Sequence, residues 1–330
     1  MFKRMIKSLL GGVLAGGLVA GASHAETIII GHFGNPTPMQ LVASSDALQK
    51  ATGWDIEWRK FAAGTDVIAA MASGDVVLSE LGSSPLAIAA TQGVDLQMIA
   101  FSDVIGKAES LIARDGSGIA SIADLKGKRV AVPVGSTAHF SLMGALQHEG
   151  IAEGDVTIMS MPPDQIAAAW EQGVIDAAWI WQPVQSQILK TGKLIVGADE
   201  TAKWGFPTFD AWVVNREFGM ANKDKIVAFL REIEKANQSY LADPAAWTAD
   251  SEPVKTLAAA TGADPAQVPD ILEGFGFLPM AEQVSDTWLG SAGKTIKGTA
   301  EFLKAAGRLD SVKDDYSGFV NDEYARAAAQ

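Results

Sequence analysis

The chain of 330 residues contains no cysteine. That excludes a disulfide framework, a Cys-ligated zinc site and a cysteine nucleophile. Positive charge is also scarce. Lys and Arg number 26 against 39 Asp and Glu, a formal net charge of −13. A broad nucleic-acid-binding face needs clustered Lys and Arg, so no nucleic acid is expected as a partner. Histidine occurs four times. Beyond His24, the three others (His32, His139 and His148) share no metal-ligand spacing, and neither a metal nor a cofactor is expected. No Gly-x-Ser-x-Gly elbow occurs. Gly293-Lys294-Thr295 resembles the end of a phosphate-binding loop, but Trp288 stands where the first glycine belongs. Past residue 25 no apolar run is long enough to span a bilayer as a helix. The Asp314-Asp315 pair lies in a polar tail and reads as solvated surface.

What is present is ordinary globular material. The hydrophobic fraction is 48% and the charged fraction 20%, near the average of folded domains. The length suits two domains. Residues 1–25 read as a secretory signal peptide. Lys3, Arg4 and Lys7 form a positive start, an uncharged Leu, Val, Ala and Gly stretch follows, and Ser23-His24-Ala25 supplies small residues for cleavage. The apolar run is about 12 residues, short of the ~20 of a membrane-spanning helix. No Cys follows to carry a lipid anchor. A free protein outside the cytoplasm is expected, most simply periplasmic.

From residue 26 onward, short apolar strands alternate with helical segments, which reads as α/β with mostly parallel sheets. Strands are expected at 27–33, 55–61, 76–81, 96–101 and 110–114. Helices are expected at 36–50, 66–73 and 85–92, the last with Ser84 as N-cap and Pro85 in the first turn. The pattern then repeats. Strands at 129–134, 156–160 and 176–181 alternate with helices at 138–149 and 163–173, and Gln182-Pro183 opens another. Segments 68–85 and 166–183 both run helix, Gly, strand, polar residue, Pro-opened helix. Two similar lobes account for this. After a strand at 209–215 the chain reads as helical, at 223–241, 244–251, 254–261, 265–274 and 285–306. Such a tail cannot build a third lobe and is expected to return to the first. The expected division is 26–106, the first part of lobe one; 107–206, lobe two; and 207–330, the return to lobe one with C-terminal helices. The hinge crossings fall near 104–110 and 200–208.

Several stretches together carry a family resemblance: Gly82-Ser83-Ser84-Pro85-Leu86-Ala87, Ala131-Val132-Pro133, Ser136-Thr137-Ala138-His139-Phe140-Ser141-Leu142, Trp58-Arg59-Lys60-Phe61, 166–170, 204–214 and Asp314-Asp315-Tyr316-Ser317. The chain resembles the periplasmic solute-binding proteins of ABC importers for taurine and other sulfonates, over essentially all of 26–330. The resemblance implies a type II periplasmic binding protein: two α/β lobes with a ligand cleft between them and a helical C-terminal region. It implies a non-enzymatic carrier that closes about a hinge and delivers its ligand to a membrane permease served by a separate ATPase. Members often carry an aromatic followed by Gln after the first strand. Here the segment is His32-Phe33-Gly34-Asn35-Pro36, which nominates Phe33 and Asn35.

Taurine carries a sulfonate and an ammonium. A sulfonate needs hydrogen-bond donors and no proton, and helix N-termini supply free N–H groups with a favourable dipole. Two Ser/Thr-rich helix starts are available, one at Ser83 and Ser84, the other at Ser136 and Thr137, with His139 as an added donor. The ammonium needs a carboxylate. Asp210 and Glu109, each beside a predicted hinge crossing, are the candidates. Trp181, at a strand end, is the expected apolar wall, ahead of Phe33 and Trp212, with Trp179 on its face by the two-residue period. An alkanesulfonate or small nitrogen compound, or an enzyme on the same fold, are the alternatives. Two lobes that must move suggest a monomer.

Overall fold

Ile28, Ile29 and Ile30 lie in a run of β-branched residues that forms the first strand, β1 (Thr27–His32). The computed structural model describes residues 27–330. The signal peptide expected at 1–25 lies outside them. The remaining strands are β2 (Asp55–Lys60), β3 (Leu78–Gly82), β4 (Leu96–Ile105), β5 (Glu109–Arg114), β6 (Arg129–Val132), β7 (Thr157–Ser160), β8 (Ala177–Trp181), β9 (Gly192–Gly197), β10 (Phe209–Asn215) and β11 (Phe275–Gly276). They form two sheets. One has six strands in the order β11-β4-β10-β3-β1-β2, the other five in the order β7-β6-β8-β5-β9.

Both sheets are mixed, which corrects the expectation of mostly parallel pairing. β1 pairs parallel with β2 and β3, and β6 with β7 and β8. β10 runs antiparallel between β3 and β4, and β5 antiparallel between β8 and β9. The cause is the route of the chain. It passes into the second sheet after Ile105 and returns at Phe209, so β5 and β10 each enter from the opposite end to the βα units beside them. Strands β3 and β8 are buried along nearly their whole length, as strands covered on both faces must be.

Helices cover both sheets. The long helix Lys223–Leu241 buries Ile226, Phe229, Leu230, Ile233 and Tyr240 on one side, the three-and-four spacing of an amphipathic stripe. With helix Leu289–Ala305 it closes the core of the six-stranded sheet, alongside Ile30, Leu78, Met98 and Trp212. The C-terminal helices thus return to the first sheet. Separate apolar clusters line the two faces of the second sheet, around Leu142 and Trp179 and around Ile112 and Ile166. No described helix is long and apolar enough to cross a membrane.

Local departures have local causes. The stretch 36–50 forms two short helices, Met39–Ala43 and Ala47–Thr52. Ser45 breaks it, its hydroxyl donating to the Val42 carbonyl and accepting from the Ala47 N–H, the usual competition of Ser with helical bonding. Strand β9, unanticipated, is an edge strand with Lys193 and Leu194 exposed, so its sequence lacks a buried run. The tail contains one short strand, β11, and residues 244–251 form only a 3₁₀ turn at Pro244–Ala246. Gly293-Lys294-Thr295 lies inside helix Leu289–Ala305, with no preceding strand.

The two connections between the sheets lie side by side. The Ile105 N–H donates to the Thr208 carbonyl at 3.0 Å. The N–H groups of Gly106 and Ala108 both donate to the carbonyl of Gly274, at 2.9 and 3.2 Å. A Cβ on Gly106 would sit 2.7 Å from that oxygen, so glycine is required there for the close approach.

Candidate functional site

Three helices begin at one cavity. Helix Gly64–Ser73 starts after Ala63, and helix Ser83–Gln92 after Gly82. Neither has a side-chain cap, because Ala and Gly carry nothing to cap with, and the first N–H groups are left to other acceptors. Helix Thr137–His148 is capped by Ser136, whose Oγ accepts from the His139 N–H at 3.2 Å. Gly64, Gly82, Pro85, Ser136 and Thr137 line the cavity. It is a small cavity, offering about 30 Å³ to the centre of a water molecule. Gly82 lies close to the opposing helix, since a Cβ on it would be 2.9 Å from Cγ2 of Thr137.

The rest of the wall comes from both sheets. Phe33 and Asn35 follow β1, Asp210 stands near the start of β10, Glu109 opens β5 and Trp181 closes β8. Ile105, Ala108 and Phe275 complete it beside the crossings. Seven of the ten nominated residues are thus brought together: Phe33, Asn35, Glu109, Ser136, Thr137, Trp181 and Asp210.

Ser83, Ser84 and His139 are buried but do not line the cavity. Ser84 lies inside its helix, not at the N-cap, which is Gly82. Its hydroxyl has no partner. Ser83 Oγ accepts from the Phe209 N–H at 3.4 Å. His139 receives the Gly135 N–H on Nδ1 at 3.4 Å. Burial, with Arg308 adding repulsion, holds its pKa down to about 4 and the ring neutral. Trp179 and Trp212 are fully buried in the two cores.

The electrostatics are unusual. Four carboxylates, Glu80, Asp103, Glu109 and Asp210, are buried around this point, and no Lys or Arg among the described residues is ion-paired with any of them. Glu109 Oε2 accepts the Thr137 hydroxyl at 2.6 Å, while Oε1 has no partner. Burial pushes its pKa up to about 8 despite that bond. Burial, reinforced by the neighbouring acids, pushes Asp210 and Asp103 well above the usual carboxylate range. Glu80 is raised by burial, against which the Ser102 hydroxyl at 2.7 Å and the Phe33 N–H at 3.1 Å favour its charged form. Perturbed acids in a cleft mark a functional-site candidate. Among the described residues no group of His, Cys, Asp or Glu is arranged to hold a metal ion.

Glu80 and Asp103 escaped the sequence reading. Their signal was present, since each is a lone acid in an otherwise apolar strand, Leu78-Ser79-Glu80-Leu81 and Phe101-Ser102-Asp103-Val104. Phe275, Gly64 and Pro85 carried no such mark. They reach the cavity only through folding.

The arrangement therefore gathers two kinds of group: main-chain N–H groups at helix starts, and carboxylates beside them, Asp210 in register with Gly82 and Glu109 bonded to the Thr137 hydroxyl. The taurine-binding periplasmic protein of Escherichia coli (strain K12) is 35% identical over 306 residues, covering 93% of this chain and 95% of that protein. The alkanesulfonate-binding protein SsuA from Xanthomonas axonopodis pv. citri, bound to MOPS, has the same fold, with a TM-score of 0.75 at 24% identity over 91% of this chain and all of that one. The desulfurization enzyme DSZB shares it too, at a TM-score of 0.66 and 14% identity, over 92% of this chain and 98% of that one. Residues 40–247 match the family described as NMT1/THI5 like. The chain belongs to the NMT1/THI5-like family and has the two-sheet α/β fold of its periplasmic sulfonate-binding proteins.

Proposed function

We propose that this protein is an extracytoplasmic carrier that captures taurine by hinge closure and hands it to an ABC permease with a separate ATPase. The carrying observation is the pairing, in one small cavity, of uncapped helix N-termini with the buried, cation-free carboxylates Glu109 and Asp210. The helix starts suit a sulfonate. The carboxylates suit an ammonium, since a buried acid without a partner is costly, by roughly 1–3 kcal/mol or more. The likeness to a taurine-binding periplasmic protein supports the ligand and the periplasmic location.

In this reading 26–106 and 207–330 make one lobe, 107–206 the other, and 1–25 is the cleaved export signal. Each lobe holds part of the ligand, so the ligand favours closure through contacts made only when the lobes meet. The carrier works as a monomer. Phe33, Asn35 and Trp181 flank the two-carbon linker, Ser136 and Thr137 face the anion, and Ser83, Ser84 and His139 act through the backbone they shape.

Calorimetric titration of the mature protein, freed of carried-over ligand, tests this with taurine, ethanesulfonate, β-alanine and sulfate. Taurine should bind far more tightly than ethanesulfonate. Equal binding of the two would select an alkanesulfonate carrier instead. DSZB shows that the fold can carry an enzyme, so turnover of a sulfonate by the pure protein would overturn the carrier reading.

A further inference from the structure

Behind the two carboxylates of the cavity wall stands a second pair. Asp103 on β4 is the registered partner of Asp210 on β10. Directly opposed residues on antiparallel strands share a face, and like charges so placed repel. A register shift sets up this match. Asp210 pairs with Asp103 and Ala211 with Phe101, leaving Ser102 as the extra residue of a bulge. Bulges recur beside functional sites, where they re-aim a side chain. Freed from pairing, Ser102 donates to Glu80 across the intervening strand β10 at 2.7 Å. Asp103 is 1% exposed, and its Oδ1 has no partner.

We infer that Asp103 and Glu80 are specificity-determining residues that make capture of an ammonium a proton exchange, so that a cationic ligand end enters as a proton leaves the carboxylate cluster for solvent. This rests on the reading of the cavity as an aminosulfonate site. Four ionised acids at such close quarters and without a cation cannot all stay charged. Glu80 is the best placed to remain ionised, with donors on both oxygens. The unpartnered oxygens, Asp103 Oδ1 and Glu109 Oε1, are where protons reside. An arriving ammonium brings the charge that a proton supplied, and the cluster's net charge is unchanged. A sulfonate without an amine displaces nothing.

Among the described residues no cation is ion-paired with these acids, although the Lys60 side chain packs against Gly34 in the loop after β1. β1 and the loop after it contribute the Phe33 N–H, and β3, β4, β5 and β10 one acid each. Helix Thr137–His148 contributes the Thr137 hydroxyl and the neutral His139 ring. Lys60 acts on His32, Arg308 on His139, and Lys107 sits with Asp199 against Gly197 at the crossing.

The test is titration of the mature full-length chain with taurine from pH 6 to 8, in two buffers of different ionisation enthalpy, with ethanesulfonate as control. The taurine amine stays protonated throughout. About one proton should be released per taurine and none per ethanesulfonate, with Kd for taurine falling about tenfold per pH unit. Asp103→Asn should flatten that slope and tighten taurine binding at pH 6, because no proton then has to leave position 103 for the ammonium to enter. Glu80→Gln should also reduce the slope. A purely structural role would change affinity without changing proton release. Taurine binding with the same heat in both buffers and no pH slope would overturn the inference, whether or not the variants fold. An unchanged slope in Asp103→Asn would remove Asp103 from it. Absence of taurine binding at every pH would instead overturn the aminosulfonate reading beneath it.

Discussion

The hydroxyl of Thr137, first residue of its helix, donates to Oε2 of Glu109 at 2.6 Å. One short bond thus links the helix start proposed to face the anion to a carboxylate proposed to face the cation. It is also what partly offsets the burial that raises Glu109. Thr137→Val keeps the shape and removes the donor. A hydrogen bond to a charged group is worth about 1.5–3 kcal/mol, so taurine affinity at pH 7 should fall by tenfold or more. Thr137→Ser should bind nearly as the parent. Equal loss in both, measured by calorimetry, would assign the effect to packing.

Asp210→Asn should weaken taurine by about a hundredfold while changing ethanesulfonate little. Asp210 lines the cavity, and its amide replacement keeps the volume but removes the charge. Parallel weakening of both ligands would show that Asp210 does not hold the ammonium.

Gly82→Ala tests the approach of the two walls. The backbone of Gly82 is extended, with φ −64° and ψ 152°, so alanine meets no conformational objection. Its Cβ would stand 2.9 Å from Cγ2 of Thr137 and 3.3 Å from Oδ1 of Asp210. Overpacking costs roughly 1–3 kcal/mol, and here opening the cleft relieves it. Affinity should drop about tenfold or more with little change in Tm, and small-angle scattering with taurine should report a more open particle. Adding Thr137→Ser, which deletes the offending methyl, should restore closure.

Stability without ligand should fall as pH rises from about 4.5 to about 8. Glu109, raised to about 8, keeps its proton in the native state from pH 4.5 up to about 8 where the unfolded chain has lost it. The native state then binds more protons, and stability falls as pH rises through that window. His139 and His32, both held down to about 4, act in the other direction. Between pH 6.5 and 4 the unfolded chain binds more protons at these two rings, and their contribution falls as pH drops. Asp103, Asp210 and Glu80 are raised by burial as well, so the acids outweigh the two histidines and Tm should fall as pH rises. Saturating taurine should flatten that fall, and His139→Gln should steepen it below pH 6.5.

The fold was legible because its information is local. Isoleucines in a row at 28–30 and the three-and-four spacing from Ile226 to Tyr240 need no partner to be read. The candidate site was legible where a local cue coincided with a turn between elements, as at Ser136-Thr137 and Asp210. What sequence could not convey was direction and register. The antiparallel entry of β5 and β10 follows from the two crossings. The opposition of Asp103 to Asp210 depends on one extra residue, Ser102. Ser84, a plausible cap by composition, is the second residue of the helix because Gly82 already takes the extended conformation that a cap requires.

The helix starts after Ala63 and Gly82 have a consequence for how this scaffold changes over time. The donors proposed there for the anion belong to the main chain. No point substitution can delete an N–H group except one to proline. Mutation can therefore explore the carboxylate end freely while the anion end is retained. A lineage built on this backbone would drift among ligands that share an acidic head and differ in the tail, and directed evolution of a sensor could treat Glu109 and Asp210 as its two adjustable positions.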